Sequence, residues 1–193
     1  MRRHPVKSLA MAAAAAILAL PLLAVSAIVV RAESQELRPL LTPGENAPGF
    51  TLSDVDGKPV SFQPGGGKPA LVVFWSVFCP MCKEMMPGID GFAVRHGATV
   101  RVFGVNLDGK RFSGAVRSYL NDPGLHFPVG LDDLRGDFFI ASDAYGVEKT
   151  PTAVLVDGAG TVRGAWAAGT IRDFLASADE KVAELQKGAP PGK

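Results

Sequence analysis

Apolar and polar residues follow distinct patterns in the part of the chain after residue 47. Between Phe50 and Phe62 they alternate on both sides of Asp56-Gly57, which is typical of a β-hairpin. Ala70–Ser76 is continuously apolar and indicates a strand buried on both faces of a sheet, and Thr99–Asn106 indicates a second such strand. The sequence therefore predicts a hairpin followed by two central strands.

Helical patterns lie between and after these strands. Cys79–His96 and Arg111–Asp122 are predicted helices, and Arg172–Lys187 places its apolar residues on one face of a final helix. Leu125–Tyr145 carries only a weak pattern, and two further strands flank the turn at Asp157–Gly160. Because strands and helices alternate, we expect an α/β protein with parallel strands.

The N-terminus has the composition of a membrane-targeting segment. Arg2, Arg3 and Lys7 are basic, and Leu9–Val30 carries no charge. A helix of that length, at about 1.5 Å per residue, matches a bilayer core of roughly 30 Å, so the segment is either a retained anchor or a cleaved signal peptide. The basic residues stay in the cytoplasm. We therefore expect a protein of the cytoplasmic membrane with its domain in the periplasm or outside, or a secreted protein if the segment is cleaved.

These patterns divide the chain into four parts. They are a signal peptide or membrane anchor at 1–31, a polar linker at 32–46, a folded domain at 47–187 and a disordered tail at 188–193. A chain of 193 residues that is 47% hydrophobic can bury one ordinary core. Its formal net charge of +1 gives no reason to expect a nucleic-acid partner.

The two cysteines of the chain, Cys79 and Cys82, lie where a predicted strand ends and a helix begins. A cysteine in the first helical turn faces unpaired N–H groups and the positive end of the helix dipole, which favour the thiolate. Cys79 is therefore the predicted nucleophile. Pro80 fits the first turn, and Cys82 lies on the same helix face within disulfide reach. An extracytoplasmic compartment favours thiol oxidation, so a redox-active pair is one interpretation.

A copper(I)-binding module is the alternative interpretation, because thiolates and thioethers are soft ligands. Met81, Met85 and Met86 surround the cysteines, and Cys82 and Met86 lie one helical turn apart. Met81 points elsewhere on the helix, and no histidine lies close in the sequence. His96 and His126 show no metal-ligand spacing and are interpreted as structural or surface residues, so no metal site is predicted from them.

The arrangement resembles the thioredoxin superfamily. An aromatic-rich strand, VVFWS, enters the cysteine motif, Pro87 stands five residues after Cys82, and YGVEKTPTAVLVD resembles the segment in which that family places a cis-proline beside the active site. The hairpin, the N-terminal segment and the phrase GVN after the second strand are similar to the membrane-tethered, extracytoplasmic branch of TlpA, ResA and the cytochrome c maturation thioredoxins. The resemblance implies a thioredoxin-like fold, in which a central mixed sheet is flanked by helices and extended by an added N-terminal β-hairpin.

By this resemblance, the chain is a thiol-disulfide oxidoreductase that uses Cys79 and Cys82 to reduce specific client proteins, such as an apocytochrome or a copper-site protein. A disulfide-forming oxidant is a further alternative. The resemblance implies that Pro151 is the cis-proline of the catalytic site and that the substrate is contacted by Thr150, Phe78, Pro80 and Met81. It also implies that the protein uses no organic cofactor and receives electrons from a membrane protein. Its partners would be proteins that carry disulfides or dithiols, and it would act as a monomer.

The sequence departs from the family pattern where an acid would serve Cys82. Relatives commonly place a glutamate three residues after the second cysteine, and here that residue is Met85. Glu84 is one residue early, so on a helix it should point away from Cys82 into solvent. Thioredoxins keep a buried aspartate at the position of Val73. We therefore expect no carboxylate beside Cys82.

Overall fold

The two predicted central strands lie side by side in the middle of one mixed sheet. The structure is a computed structural model that describes residues 38–121, 124–167 and 173–188. Within these residues the sheet contains seven strands in the order β2-β1-β5-β4-β3-β8-β9. They are β1 (Phe50–Ser53), β2 (Pro59–Phe62), β3 (Ala70–Trp75), β4 (Arg101–Asn106), β5 (Val129–Leu131), β8 (Thr152–Val156) and β9 (Val162–Trp166). Strands β3, β4 and β5 are parallel, whereas the pairs that β1 forms with β2 and β5, and that β8 forms with β3 and β9, are antiparallel.

The helices correspond to the predicted helical patterns, with one addition. They are α1 (Pro80–His96), α2 (Ser113–Asn121) after a 3-10 turn at Lys110–Phe112, α3 (Ser142–Tyr145) and α4 (Phe174–Gly188). The short helix α3 and a separate two-stranded sheet, β6 (Leu134–Arg135) with β7 (Phe138–Phe139), lie in the stretch whose pattern was weak.

Strand β3 shows why a continuous apolar run predicts a central strand. All six residues are buried, and successive side chains point to opposite faces of the sheet. They enter two core clusters, Leu71, Val73 and Trp75 in one and Ala70, Val72 and Phe74 in the other. The first cluster also contains the buried face of α1 and of α4, so the helix that begins at the cysteines is packed firmly against the strand that precedes them.

The buried carboxylate of Asp132 organises the stretch with the weak pattern. It accepts hydrogen bonds from the backbone N–H groups of Ala141 at 2.9 Å and Ser142 at 2.8 Å. These bonds satisfy N–H groups at the start of α3. The carboxylate is supplied by a residue outside the helix, so the helical pattern of the sequence does not reveal it.

Residues 38–46 belong to the predicted linker of 32–46, but they pack against the domain. The side chain of Leu41 is fully buried, and its backbone N–H donates to the carbonyl of Tyr145 at 3.1 Å. Gly44 N–H donates to the Val162 carbonyl at 2.9 Å, beside β9. Gly146 adopts a φ of +68°, and a Cβ at this residue would clash with the Pro39 carbonyl. The folded part therefore includes residues from Arg38 onward.

The predicted signal peptide or anchor at 1–31 and residues 189–193 of the predicted tail lie outside the described residues. Among the residues that are described, no helix is both long and apolar enough to cross a bilayer.

Candidate active site

The cysteine pair lies at the carboxyl end of β3, in the loop that leads into α1. Cys79 is the N-cap residue of α1, with extended backbone angles of φ −94° and ψ 109°, and Pro80 follows in the first turn. The Cys79 sulfur accepts a hydrogen bond from the Cys82 backbone N–H at 3.2 Å. This N–H and the helix dipole stabilise negative charge on the sulfur, as expected for the nucleophile of a reactive pair.

The two sulfurs form a disulfide, with the Cα atoms 5.2 Å apart. This separation is typical of disulfides. Cys82 is only 1% exposed, whereas Cys79 is partly exposed. An incoming sulfur therefore has access to Cys79 and is shielded from Cys82.

The predicted cis-proline lies beside this pair. The Thr150-Pro151 peptide bond is cis, which confirms the prediction for that bond. The Thr150 carbonyl oxygen lies 3.6 Å from the Cys79 sulfur. Antiparallel pairing of β3 with β8, in which Phe74 is opposite Thr152, brings these two segments together although they are 71 residues apart in the sequence.

The loop between β3 and the cysteines is held by Asp108, a residue that the sequence analysis did not identify. Its carboxylate accepts hydrogen bonds from the Ser76 hydroxyl at 2.6 Å and from the Val77 backbone N–H at 2.8 Å. The Asn106 side-chain amide also donates to it at 2.8 Å. Asn106 ends the predicted strand and Asp108 follows it, at the end where parallel sheets place functional groups, and that position was the available signal.

The other residues predicted to contact substrate surround Cys79 at the surface. Phe78 is 61% exposed and Pro80 is exposed, whereas Met81 is partly buried and packs against the core cluster that contains Cys82. Phe112, from the 3-10 turn after β4, contacts Phe78 edge to face with ring centroids 5.1 Å apart. The structure therefore adds an aromatic residue next to the predicted set.

At the two positions where relatives place an acid, this chain has apolar residues, and their surroundings are apolar too. Val73 is fully buried, and Met85 packs against the cluster that contains Cys82. Glu84 is exposed, in agreement with the predicted direction of its side chain. The carboxylate of Glu84 is therefore directed toward solvent, and apolar side chains surround the Cys82 sulfur.

Met86 and the two histidines of the described residues are held by structural contacts. Met86 is fully buried in the same cluster as Cys82. His96 pairs with Asp179 at 2.6 Å, and His126 pairs with Asp90 at 2.9 Å. Among the described residues, no group of three or more histidine, cysteine, aspartate or glutamate side chains is arranged to hold a metal ion.

Comparison with known proteins relates this geometry to a family. The sequence model described as "AhpC/TSA family" matches residues 43–165, which is more than half of the chain. The thiol-disulfide oxidoreductase ResA of Bacillus thuringiensis (strain Al Hakam) is 31% identical over 122 residues, which cover 62% of this chain and 66% of that protein. ResA of Bacillus subtilis (strain 168) is 30% identical over 123 residues, covering 63% and 65%. The matched region thus spans slightly less than two thirds of these relatives.

A solved structure, described as a putative thiol:disulfide interchange protein DsbE from Chlorobium tepidum, superimposes with a TM-score of 0.63 and 27% identity. The superposition covers 75% of this chain and 99% of that one. Together with the mixed sheet described above, it confirms the thioredoxin-like fold predicted from the sequence.

Proposed function

The chain belongs to the AhpC/TSA family, and from this membership and the position of Cys79 we propose that it is a thiol-disulfide oxidoreductase that reduces disulfides of client proteins. The observation that carries the proposal is a partly exposed sulfur at a helix N-cap, paired with a buried one. Relatives that carry the name thiol-disulfide oxidoreductase support the same reaction class.

The reaction begins with the reduced pair. The Cys79 thiolate attacks one sulfur of a client disulfide, forms a mixed disulfide and expels the second client sulfur as a thiolate. The Cys82 thiolate then attacks the Cys79 sulfur and expels the first client sulfur, which closes the Cys79-Cys82 disulfide. The client gains two electrons and takes up protons on its two thiolates according to their pKa values, and the protein loses two electrons. A dithiol donor must afterwards reduce the protein again.

The segments around Cys79 have separate roles in this proposal. Pro151 and the Thr150 carbonyl, which lies 3.6 Å from the Cys79 sulfur, hold the client chain alongside the attacked disulfide. The client also contacts a surface formed by Phe78, Pro80 and Met81, the residues next to Cys79 in the sequence. Burial shields Cys82 from disulfides in solution, and Cys82 reacts only after the mixed disulfide has made the adjacent Cys79 sulfur open to attack.

We place the domain outside the cytoplasm, with residues 1–31 as a membrane anchor or signal peptide. This placement rests on the basic residues before an uncharged stretch at Leu9–Val30. Because that compartment is oxidising, the reductase takes its electrons from a membrane protein. It acts on protein clients as a monomer. The folded domain begins near Arg38, so the polar linker is shorter than 32–46.

A redox titration of the Cys79-Cys82 pair tests the direction of electron flow. The pair is equilibrated in thiol-disulfide buffers and the reduced fraction is measured by alkylation and mass spectrometry, with Cys79→Ser as the control that lacks the transition. A potential of about −270 mV supports the reductase, and one of about −120 mV would indicate a disulfide-forming oxidant instead. Failure of the reduced protein to reduce any disulfide would overturn the reaction class itself.

Copper(I) binding is not favoured over this function. Met86 is buried in the core, Met81 and Met85 pack against it, and the relatives are named for thiol-disulfide chemistry.

A further inference from the structure

Two aromatic side chains form an exposed surface directly beside the nucleophile. Phe78 precedes Cys79 and is 61% exposed, and Phe112 is 40% exposed. Their rings meet edge to face at an interplanar angle of 78°. We call this pair the aromatic shelf. Large exposed apolar side chains in contact with one another indicate a binding surface more strongly than an isolated exposed residue does.

The shelf is assembled in the structure together with the oxidised cysteine pair. Asp108 connects the two loops that carry the shelf. Its carboxylate accepts a hydrogen bond from the N–H of Val77, the residue before Phe78, and Asp108 itself precedes Phe112 by four residues. Gly109 lies between them with a φ of +64°, and a Cβ there would approach the Asp132 carbonyl oxygen to 2.9 Å. The loops are therefore fixed in position, and a ligand would lose little free energy in ordering them.

The shelf also carries a cation that is available to a ligand. The guanidinium carbon of Arg111 lies 5.4 Å from the centroid of the Phe112 ring. Its neighbour Lys110 pairs with Asp133 at 2.9 Å, whereas within residues 38–121, 124–167 and 173–188 no carboxylate pairs with Arg111. A guanidinium positioned by an aromatic ring is suited to bind a carboxylate that approaches the shelf.

We propose that the aromatic shelf and Arg111 select the client, by binding a segment that carries an apolar side chain and a neighbouring carboxylate close to its disulfide. This inference rests on the proposed function, because a client must bring its disulfide to Cys79 and its flanking residues then lie against Phe78. The shelf is continuous with that site. A lipid surface or a second copy of the chain would compete with the client for the same place.

The test compares reduction rates for matched substrates. Three disulfide-linked peptides differ only at the two residues beside cysteine, which are Phe-Glu, Ala-Glu or Phe-Gln, and bis(2-hydroxyethyl) disulfide serves as a small neutral substrate. Stopped-flow measurement with the reduced full-length protein gives kcat/KM for each. Because partial burial of a phenylalanine ring is involved, we expect the Phe-Glu peptide to react about tenfold faster than the Ala-Glu peptide. The Phe-Gln peptide should react about threefold more slowly than Phe-Glu, because it lacks the charge that pairs with Arg111.

Variants assign these preferences to the shelf. Phe112→Ala should reduce the tenfold preference to about twofold, with Phe112→Leu in between, and Arg111→Gln should remove only the preference for glutamate. Val94→Ala is the matched control, since Val94 is 60% exposed but lies fifteen residues after Cys79 along α1, a distance of about 22 Å. It should behave as the wild type with every substrate.

The outcomes separate the inference from the proposed function. If neither bis(2-hydroxyethyl) disulfide nor any of the three peptides is reduced, the proposed function fails. If reduction occurs but the wild type does not prefer the Phe-Glu peptide, the shelf does not select clients. Equal losses for the small disulfide and the peptide in Phe112→Ala would also overturn the inference, because Phe112 would then act by supporting the Cys79 loop. If the wild type shows no substrate preference but binds lipid vesicles or self-associates through the shelf, the shelf is assigned to lipid or to a second copy of the chain.

Discussion

Replacing Asp108 by leucine should destabilise the loop before the nucleophile. Asp108 accepts three hydrogen bonds, from Ser76, Val77 and Asn106, at 2.6, 2.8 and 2.8 Å. Leucine has the same branching at Cγ, with two methyl groups in place of the two carboxylate oxygens, but it is larger and accepts none of these bonds. The three donors would then have to find water or remain unpaired in a partly buried site.

The magnitude follows from the number and type of these bonds. A hydrogen bond to a charged group contributes about 1.5–3 kcal/mol, but Asp108 is partly exposed and water would replace part of the loss. We therefore expect Asp108→Leu to lower the free energy of unfolding by about 3 kcal/mol, which for a chain of this size lowers the Tm by about 10 °C.

Asparagine provides a matched variant at the same position. Its amide oxygen can occupy the place that accepts from Val77 and Asn106, and its NH₂ group can donate to the Ser76 oxygen. The network is kept without the charge, so we expect a loss of only about 1 kcal/mol. The comparison thus separates the geometry of the network from its charge.

Thermal unfolding of the oxidised proteins, followed by circular dichroism, gives the two losses, and hydrogen exchange reports on the loop. The Val77 and Phe78 amides should lose protection in Asp108→Leu more than the amides of β3 do. If the leucine and asparagine variants unfold at the same temperature as the wild type, the network contributes nothing to stability. Uniform loss of protection across the sheet would place its effect outside the loop.

Three further results are expected. In the reduced, folded protein near neutral pH, iodoacetamide should label Cys79 alone, and mass spectrometry showing equal or preferential labelling of Cys82 would reverse their roles. Because apolar groups surround Cys82, its deprotonation should limit decay of the mixed disulfide, so decay should quicken as pH rises. Met85→Glu should accelerate this step and Glu84→Gln should change it little in stopped-flow assays, whereas the opposite result would make Glu84 the working acid. Although burial raises the pKa of Asp157, hydrogen bonds from two backbone amides and a guanidinium lower it by more, so its pKa lies below the usual value. The stability that Asp157 contributes is present above the pKa of the unfolded state and is lost as pH falls through the pKa of the folded state. Below about pH 4, the free energy of unfolding of Asp157→Asn in urea should therefore depend less on pH than that of the wild type. The same pH dependence in both proteins would contradict this assignment.

The sequence alone determined the features that arise from local patterns. The continuous apolar run of β3 predicted a strand buried on both faces, because alternate side chains of such a strand must each enter a core. The position of Cys79 at the start of α1 followed from the change of pattern at Ser76 and from Pro80. The exposure of Glu84 followed from helical periodicity, which relates neighbours in the chain without any knowledge of the rest of the fold.

Tertiary structure decided the features that join distant segments. The bond from Asp108 to Ser76 spans 32 residues, and the contact between Phe78 and Phe112 spans a similar distance along the chain. Leu41 is buried where its backbone N–H donates to the carbonyl of Tyr145, which is far away in the sequence. Such contacts leave no periodic signal, because a single polar or aromatic residue in a loop gains its partner only when parallel strands bring the loop ends to one edge of the sheet. The chemistry of the cysteine pair is therefore readable in the sequence, whereas the groups that hold it and surround it are defined by the packing of strands β3, β4 and β8.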